Sequence, residues 1–377
     1  MNYLDRPVGQ KMIVWLEESN RYMLVEIQAY NVIKMIAEGQ TSDEIVKWCC
    51  KSYQLPKNKA GKFVEEIAKL IDIENNNANS KQQAFDSSIS IPTKFASQKK
   101  YLIKGSTYLV EYGTEHTEFL VHPKIAHLEV VANRTADHQF QVYQHKGSTV
   151  LRVNGKVIGQ WDRENSNYFT GKFSMELLNL IYGKDESDWM GVFHASAITK
   201  GGQCVLFLGD SGSGKSTISA LLMANGYDLL ADDFVPVGAV SCEVFFFPVA
   251  ISVKKNALDH LIPIYPQLAS AKEFYYAGLD KTVRYLPPNH YFENQSSRYP
   301  CKALVFVKYM KGSGLTMEKM TQDVAFQHLV PDSWVSPLLE NATRFLDWFL
   351  GLTCYQLTYS DNELMLKTID KLFRDDL

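Results

Sequence analysis

Residues 209–217, GDSGSGKST, match the pattern G-x-x-x-x-G-K-[S/T]. Gly209, Gly212 and Gly214 let backbone N–H groups turn toward phosphate oxygens without a Cβ in the way. Lys215 offers a point charge to β- and γ-phosphates, and Ser216 a hydroxyl for Mg²⁺. Asp210, Ser211, Ser213 and Thr217 complete the candidate nucleotide site, for which ATP and Mg²⁺ are the implied cofactors. Two carboxylates, Asp232 and Asp233, follow soon after. Ordering a metal needs one of them. The second is free to accept a proton from an attacking hydroxyl. His194, in the upstream run VFHASAI, is a third candidate, able to hydrogen-bond an aspartate or the hydroxyl.

These side chains need elements to hold them. QCVLFL, 203–208, reads as a buried strand, and KSTISALLMAN, 215–225, as a helix with Ile218, Leu221 and Leu222 on one face and Gly226 as its stop. YDLLADD reads as a second strand ending in carboxylates. Returning parallel beside the first, it brings Asp232 and Asp233 to the loop's edge of the sheet. The His194 run reads as a strand adjoining the loop strand.

The chain has 377 residues, 46% of them hydrophobic and a formal charge of −3. The length allows two or three domains. The charge makes no electrostatic case for nucleic acid or an anionic membrane. No apolar run is long enough for a membrane span, and the N-terminal residues lack the pattern of a signal peptide. Six cysteines without CxxC or zinc-ligand spacing read as reduced thiols, which predicts a cytoplasmic protein. Residues 1–75 form one patterned block and 76–100 a polar linker. Residues 101–173 form a β-rich region with KYLIKGSTYLVEYG, EFLVHP, HLEVVAN, HQFQVYQH and TVLRVNGKVIGQW as strands, and Asn154-Gly155 as a hairpin turn. Residues 174–377 mix helices and strands.

The combination FHASAI, LGDSGSGKST and GYDLLADDFVPV resembles the catalytic domain of HPr serine kinase/phosphorylase, closely over 190–240 and loosely over 240–350. The resemblance implies an α/β P-loop kinase domain. In it Asp232 is the general base on a serine hydroxyl, Asp233 a partner of metal and Lys215, and His194 a site residue. Thr217 and FPVAISVKKNALDHL depart from the HPr-specific branch, which argues against HPr as substrate. That segment and Arg284-Tyr285-Leu286-Pro287 are closer to lasso-peptide-type tailoring kinases, which makes Lys254 and Arg284 candidate phosphate or substrate cations.

Within 1–75, KMIVWLEESNRYMLVEI reads as a hairpin, followed by three helices, with Thr41 and Glu44 as a capping box. This small winged-helix-like α+β block resembles the PqqD family of leader-peptide recognition domains. The resemblance implies a peptide added at the hairpin edge beside the third helix, with Tyr22, Leu24, Val25, Phe63 and Ile67 as candidate contacts. A DNA-binding winged helix is the rival, and the balance of basic and acidic residues argues against it. Together the two likenesses predict a kinase for a ribosomally made precursor peptide. A kinase of free serine or another small hydroxyl metabolite, and a non-catalytic nucleotide-gated peptide carrier, are the alternatives. Relatives of the kinase assemble, which leaves a homo-oligomer open.

Overall fold

The computed structural model describes residues 1–76, 89–131, 134–276, 280–292 and 297–376. The protein is mixed α/β, with several mixed and antiparallel sheets. It divides into two compact units, Met1–Ala84 with Thr321–Gly351, and Phe85–Met320 with Leu352–Leu377. Most of the expected linker, 77–88, lies outside the described residues, and the first strand of the second unit starts at Ser97.

In the first unit β1 (Tyr3–Val8), β2 (Lys11–Leu16) and β3 (Arg21–Glu26) form an antiparallel sheet with β2 central. The sequence signals the hairpin of β2 and β3 but not β1, whose YLDRPV lacks apolar alternation and becomes a strand by pairing with β2. Three helices follow, α1 (Ile27–Ala37), α2 (Ser42–Ser52) and α3 (Lys57–Asn76). The Thr41–Glu44 capping box is formed at the start of α2. Met12, Val14, Leu16 and Val25 pack with helix residues Val32, Ile33, Ile45, Val64 and Ile67.

The other face of this sheet is covered as well. The Tyr22 ring lies 6.1 Å from Phe326 and 5.4 Å from Phe345, centroid to centroid. Arg6 Nε donates to Asp347 at 2.8 Å, and Asn20 Nδ2 to the Val335 carbonyl at 2.8 Å. The contacts come from Thr321–Gly351, whose helices are Gln322–Leu329 and Leu339–Leu350. The unit is therefore discontinuous, whereas the sequence reading placed its limit at 75 and this segment in the 174–377 domain. The run MIVWL is apolar at consecutive positions, so both faces of β2 need cover.

The second unit is built on a mixed sheet running Asp228–Asp232, Ser196–Lys200, Gln203–Leu208, Arg298–Tyr309. The first residues of the long strand Arg298–Tyr309 pair with Glu243–Phe245, and its remainder with Thr353–Tyr359. The strand Asp228–Asp232 does not lie beside Gln203–Leu208 as expected. Ser196–Lys200 intervenes, antiparallel to both. Two reversals restore a common direction, so the C-terminal ends of both outer strands still share an edge. The helix Lys215–Met223 packs Ile218, Leu221 and Leu222 into a core with Val205, Phe207 and Leu229.

A five-stranded sheet precedes it, in the order Ser97–Ile103, Ser106–Tyr112, His138–His145, Ser148–Val153, Lys156–Trp161. Its second and third strands are parallel. A parallel pair needs a crossover rather than a hairpin, and the segment expected as the strand EFLVHP belongs to the crossover helix Glu115–Ile125, capped by Thr114. HLEVVAN is likewise no strand; it contributes to a 3₁₀ turn, Ala126–Leu128, and an isolated bridge from Glu129 to Tyr101, while 132–133 lie outside the described residues. Asn154 and Gly155, with φ of 47° and 84°, make the expected hairpin turn. A small antiparallel sheet joins Ile251–Lys254, Lys281–Leu286 and Phe274–Tyr276. No helix among the described residues is long and apolar enough to cross a membrane.

Candidate functional site

The strand Gln203–Leu208 ends at Gly209, and the helix begins at Lys215. Between them Gly209, Gly212 and Gly214 have φ of 135°, 94° and 107°, values that favour glycine. A Cβ at Gly209 would stand 2.7 Å from the Val307 carbonyl oxygen, so the loop and its neighbouring strand approach too closely for a side chain. Ser213 N–H donates to the Asp210 carbonyl at 3.0 Å, closing the turn. Lys215 is buried, and its Nζ donates to the carbonyls of Gly209 and Asp210. The loop thus opens toward the N-terminus of a helix, the arrangement that suits an anion.

Asp210, Ser211, Lys215, Ser216 and Thr217 line an open cleft. His194, Asp233, Lys254 and Lys281 face it from other elements. His194 lies in the short break between the strands Trp189–Phe193 and Ser196–Lys200, not within one continuous strand. Its Nδ1 is 3.9 Å from Asp233 Oδ1.

The adjacent aspartates differ in setting. Asp232 is 2% exposed. Its Oδ2 accepts from Ser216 Oγ at 3.3 Å, and its Oδ1 is buried without a partner. Burial, then the nearby Asp233 charge, pushes the Asp232 carboxyl up to about 7, against the pull of Ser196, Lys215 and Ser216. Asp233 adopts φ of 61°, uncommon for a residue with a side chain, and its N–H donates to the Ala195 carbonyl at 2.8 Å. This turns its partly exposed carboxylate into the cleft. Burial opposes its ionisation, but His194, Lys124, Lys281 and Lys215 prevail and hold it below the usual carboxylate range.

Lys254 Nζ donates to Ser211 Oγ at 3.0 Å, which fastens the small sheet to the loop. Burial, with Lys281 and Lys215 close by, lowers the Lys254 ammonium. Arg284 is directed elsewhere. It pairs in register with Val253, whereas Lys254 pairs with Val283, and alternate strand residues face opposite ways. Its guanidinium donates to the carbonyls of Leu268 and Ala269 and pairs with Glu273. The cation that shares the face of Lys254 is Lys281, two residues from Val283; its Nζ donates to Ser252 Oγ at 3.4 Å. Sequence reasoning missed Lys281 and Lys124. Strand alternation gives the signal for Lys281 once the register is known; nothing local singles out Lys124.

In the first unit, Val25 and Ile67 belong to the core, with Phe63 packed against it. Tyr22 lies under Phe326 and Phe345, and Leu24 is partly buried on β3. Tyr22, Val25 and Ile67 are therefore engaged in packing rather than presented as a groove. The outer edge of β3 pairs with no other strand among the described residues.

Among the described residues no group of three or more His, Cys, Asp or Glu is placed to hold a metal. The Ser216 hydroxyl and the Asp232 carboxylate, bonded through Oδ2 and with Oδ1 unpartnered, fit Mg²⁺ if phosphate oxygens complete its shell, the usual manner for that ion. No family model matches the chain, and no curated protein matches it.

Proposed function

We propose that this protein is an ATP-dependent kinase that transfers the γ-phosphoryl group to a hydroxyl. The observation that carries this reading is the joining, in one cleft, of a glycine loop with Lys215 and Ser216 to Asp233 and two further lysines, with Asp232 buried against Ser216. The loop amides and Lys215 hold the phosphates. Ser216 and the buried Asp232 would hold Mg²⁺, which supplies charge neutralisation on the phosphates. Asp233, exposed to the cleft beside His194, accepts the acceptor's proton as its oxygen bonds to phosphorus and ADP leaves. Positioning and charge stabilisation account for most of the catalysis in this chemistry. This distribution exchanges the two aspartate roles implied by the family resemblance, because a base must reach the hydroxyl and Asp232 lies behind Ser216.

The likeness of 1–75 to leader-recognition domains supports a ribosomally made precursor peptide as acceptor, with the main chain of β3 as the docking edge. A small hydroxyl metabolite is the second reading, favoured by the packing of Tyr22, Val25 and Ile67. The test is to incubate the protein and Mg-ATP with the peptide and metabolite fractions of its host, with Lys215→Ala as the blank. A phosphopeptide found only with the wild type supports the first reading, and a phosphometabolite the second. ATP bound without any phosphorylated product in either fraction sinks both.

A further inference from the structure

The cleft has a corner that phosphoryl transfer does not use. Tyr309 and Tyr359 are register partners on the parallel strands Arg298–Tyr309 and Thr353–Tyr359. Their rings meet edge to face, centroids 5.5 Å apart. Tyr309 N–H donates to the Ser213 carbonyl at 2.8 Å, which ties this ring to the phosphate loop. A Cβ added at Gly214 would stand 3.4 Å from Tyr309 Cβ and 3.4 Å from the Tyr359 hydroxyl, so the loop turns past both rings.

Two features of this corner point to a ligand. Tyr309 is 42% exposed at the edge of the cleft, held in place by a buried neighbour. Tyr359 is 0% exposed and lines the same cleft, yet its hydroxyl has no hydrogen-bond partner. A buried hydroxyl without a partner is costly, and a ligand oxygen would satisfy it. Asn362, at the start of the helix Asn362–Arg374, also lines the cleft.

We infer that Tyr309, Tyr359 and Asn362 form the nucleoside subsite of the triphosphate bound at the loop. The Tyr309 ring stacks on the base, an interaction open to every base through its π-face. The Asn362 amide, with both donor and acceptor, matches an adenine edge. The Tyr359 hydroxyl bonds an oxygen of the nucleotide. This inference rests on the triphosphate reading above, and the experiment separates the two.

Calorimetry would compare Mg-ATP with Mg-tripolyphosphate, which has the phosphates but no nucleoside. The wild type should bind ATP about tenfold or more tightly than tripolyphosphate, the scale of one base–aromatic stack. Tyr309→Ala should remove most of that advantage and leave tripolyphosphate binding unchanged. Tyr309→Phe should restore it. The exposed ring and the main-chain bond to Ser213 make Tyr309→Ala compatible with folding, and an unchanged melting temperature would check that. If Tyr309→Ala weakens both ligands equally, or neither, the subsite is overturned while the phosphate site stands. If the wild type binds neither ligand, both readings fall.

Discussion

Asp232 and Asp233 are consecutive, but one is enclosed beside a carboxylate, two serines and one lysine while the other meets three lysines and a histidine. Asp233→Asn should therefore retain Mg-ATP binding and lose about 10²- to 10⁴-fold in transfer, the usual scale for removing a general base. Asp232→Asn should instead weaken Mg²⁺-dependent nucleotide binding by about 10- to 100-fold. Paired nucleotide titrations and single-turnover transfer would distinguish them, and the opposite pattern would return the base role to Asp232. The raised Asp232 carboxyl also predicts a pH effect on stability. Unfolded, it releases its proton near pH 4; folded, it keeps it to about 7. The folded state binds the extra proton between those values, so stability should fall as pH rises from about 4 to 7 and level off above. The depressed Asp233 acts at lower pH, where its contribution is lost as acid is added. Thermal unfolding in chelator should give a shallower slope over pH 4 to 7 for Asp232→Asn than for the wild type. Equal slopes would refute this assignment.

Elements decide what such residues can reach. The glycine loop was legible because strand, glycines, lysine and helix are contiguous, and so were the hairpin of β2 and β3 and the box from Thr41 to Glu44. What was not legible depended on partners distant in sequence. YLDRPV becomes a strand only against β2, and EFLVHP becomes a helix because its flanking strands are parallel. Arg284 looked like Lys254 until the register set them on opposite faces. Arg284→Ala should therefore lower the melting temperature, by loosening the carbonyls of Leu268 and Ala269, and leave Mg-ATP affinity within about twofold. A larger loss of affinity would give Arg284 a place in the cleft. Gly209→Ala should do both kinds of damage, since its Cβ meets the Val307 carbonyl of the neighbouring strand as well as the Ser213 side chain of the loop. A cost of about 1–3 kcal/mol in denaturant unfolding, with weaker nucleotide binding, is expected.

At the scale of the whole molecule, the first unit is completed by residues from late in the chain. Tyr22→Ala should cost about 2–4 kcal/mol in urea unfolding of that unit, somewhat below the range of about 3–5 kcal/mol for a fully buried aromatic because Tyr22 is only partly buried, and an effect under about 0.5 kcal/mol would show that its contact with Phe326 and Phe345 is incidental. The same discontinuity imposes an order in time. β2 and β3 leave the ribosome roughly 300 residues ahead of Phe326 and Phe345. At translation rates of about 5–20 residues per second, one apolar face of the sheet waits on the order of tens of seconds for its cover. The second unit waits too, because the strand Thr353–Tyr359 lies beyond that cover in the chain. A ribosome that stalls before Thr321 therefore holds an incomplete first unit and an incomplete second one, with Trp15 and Tyr22 on an uncovered face of the sheet.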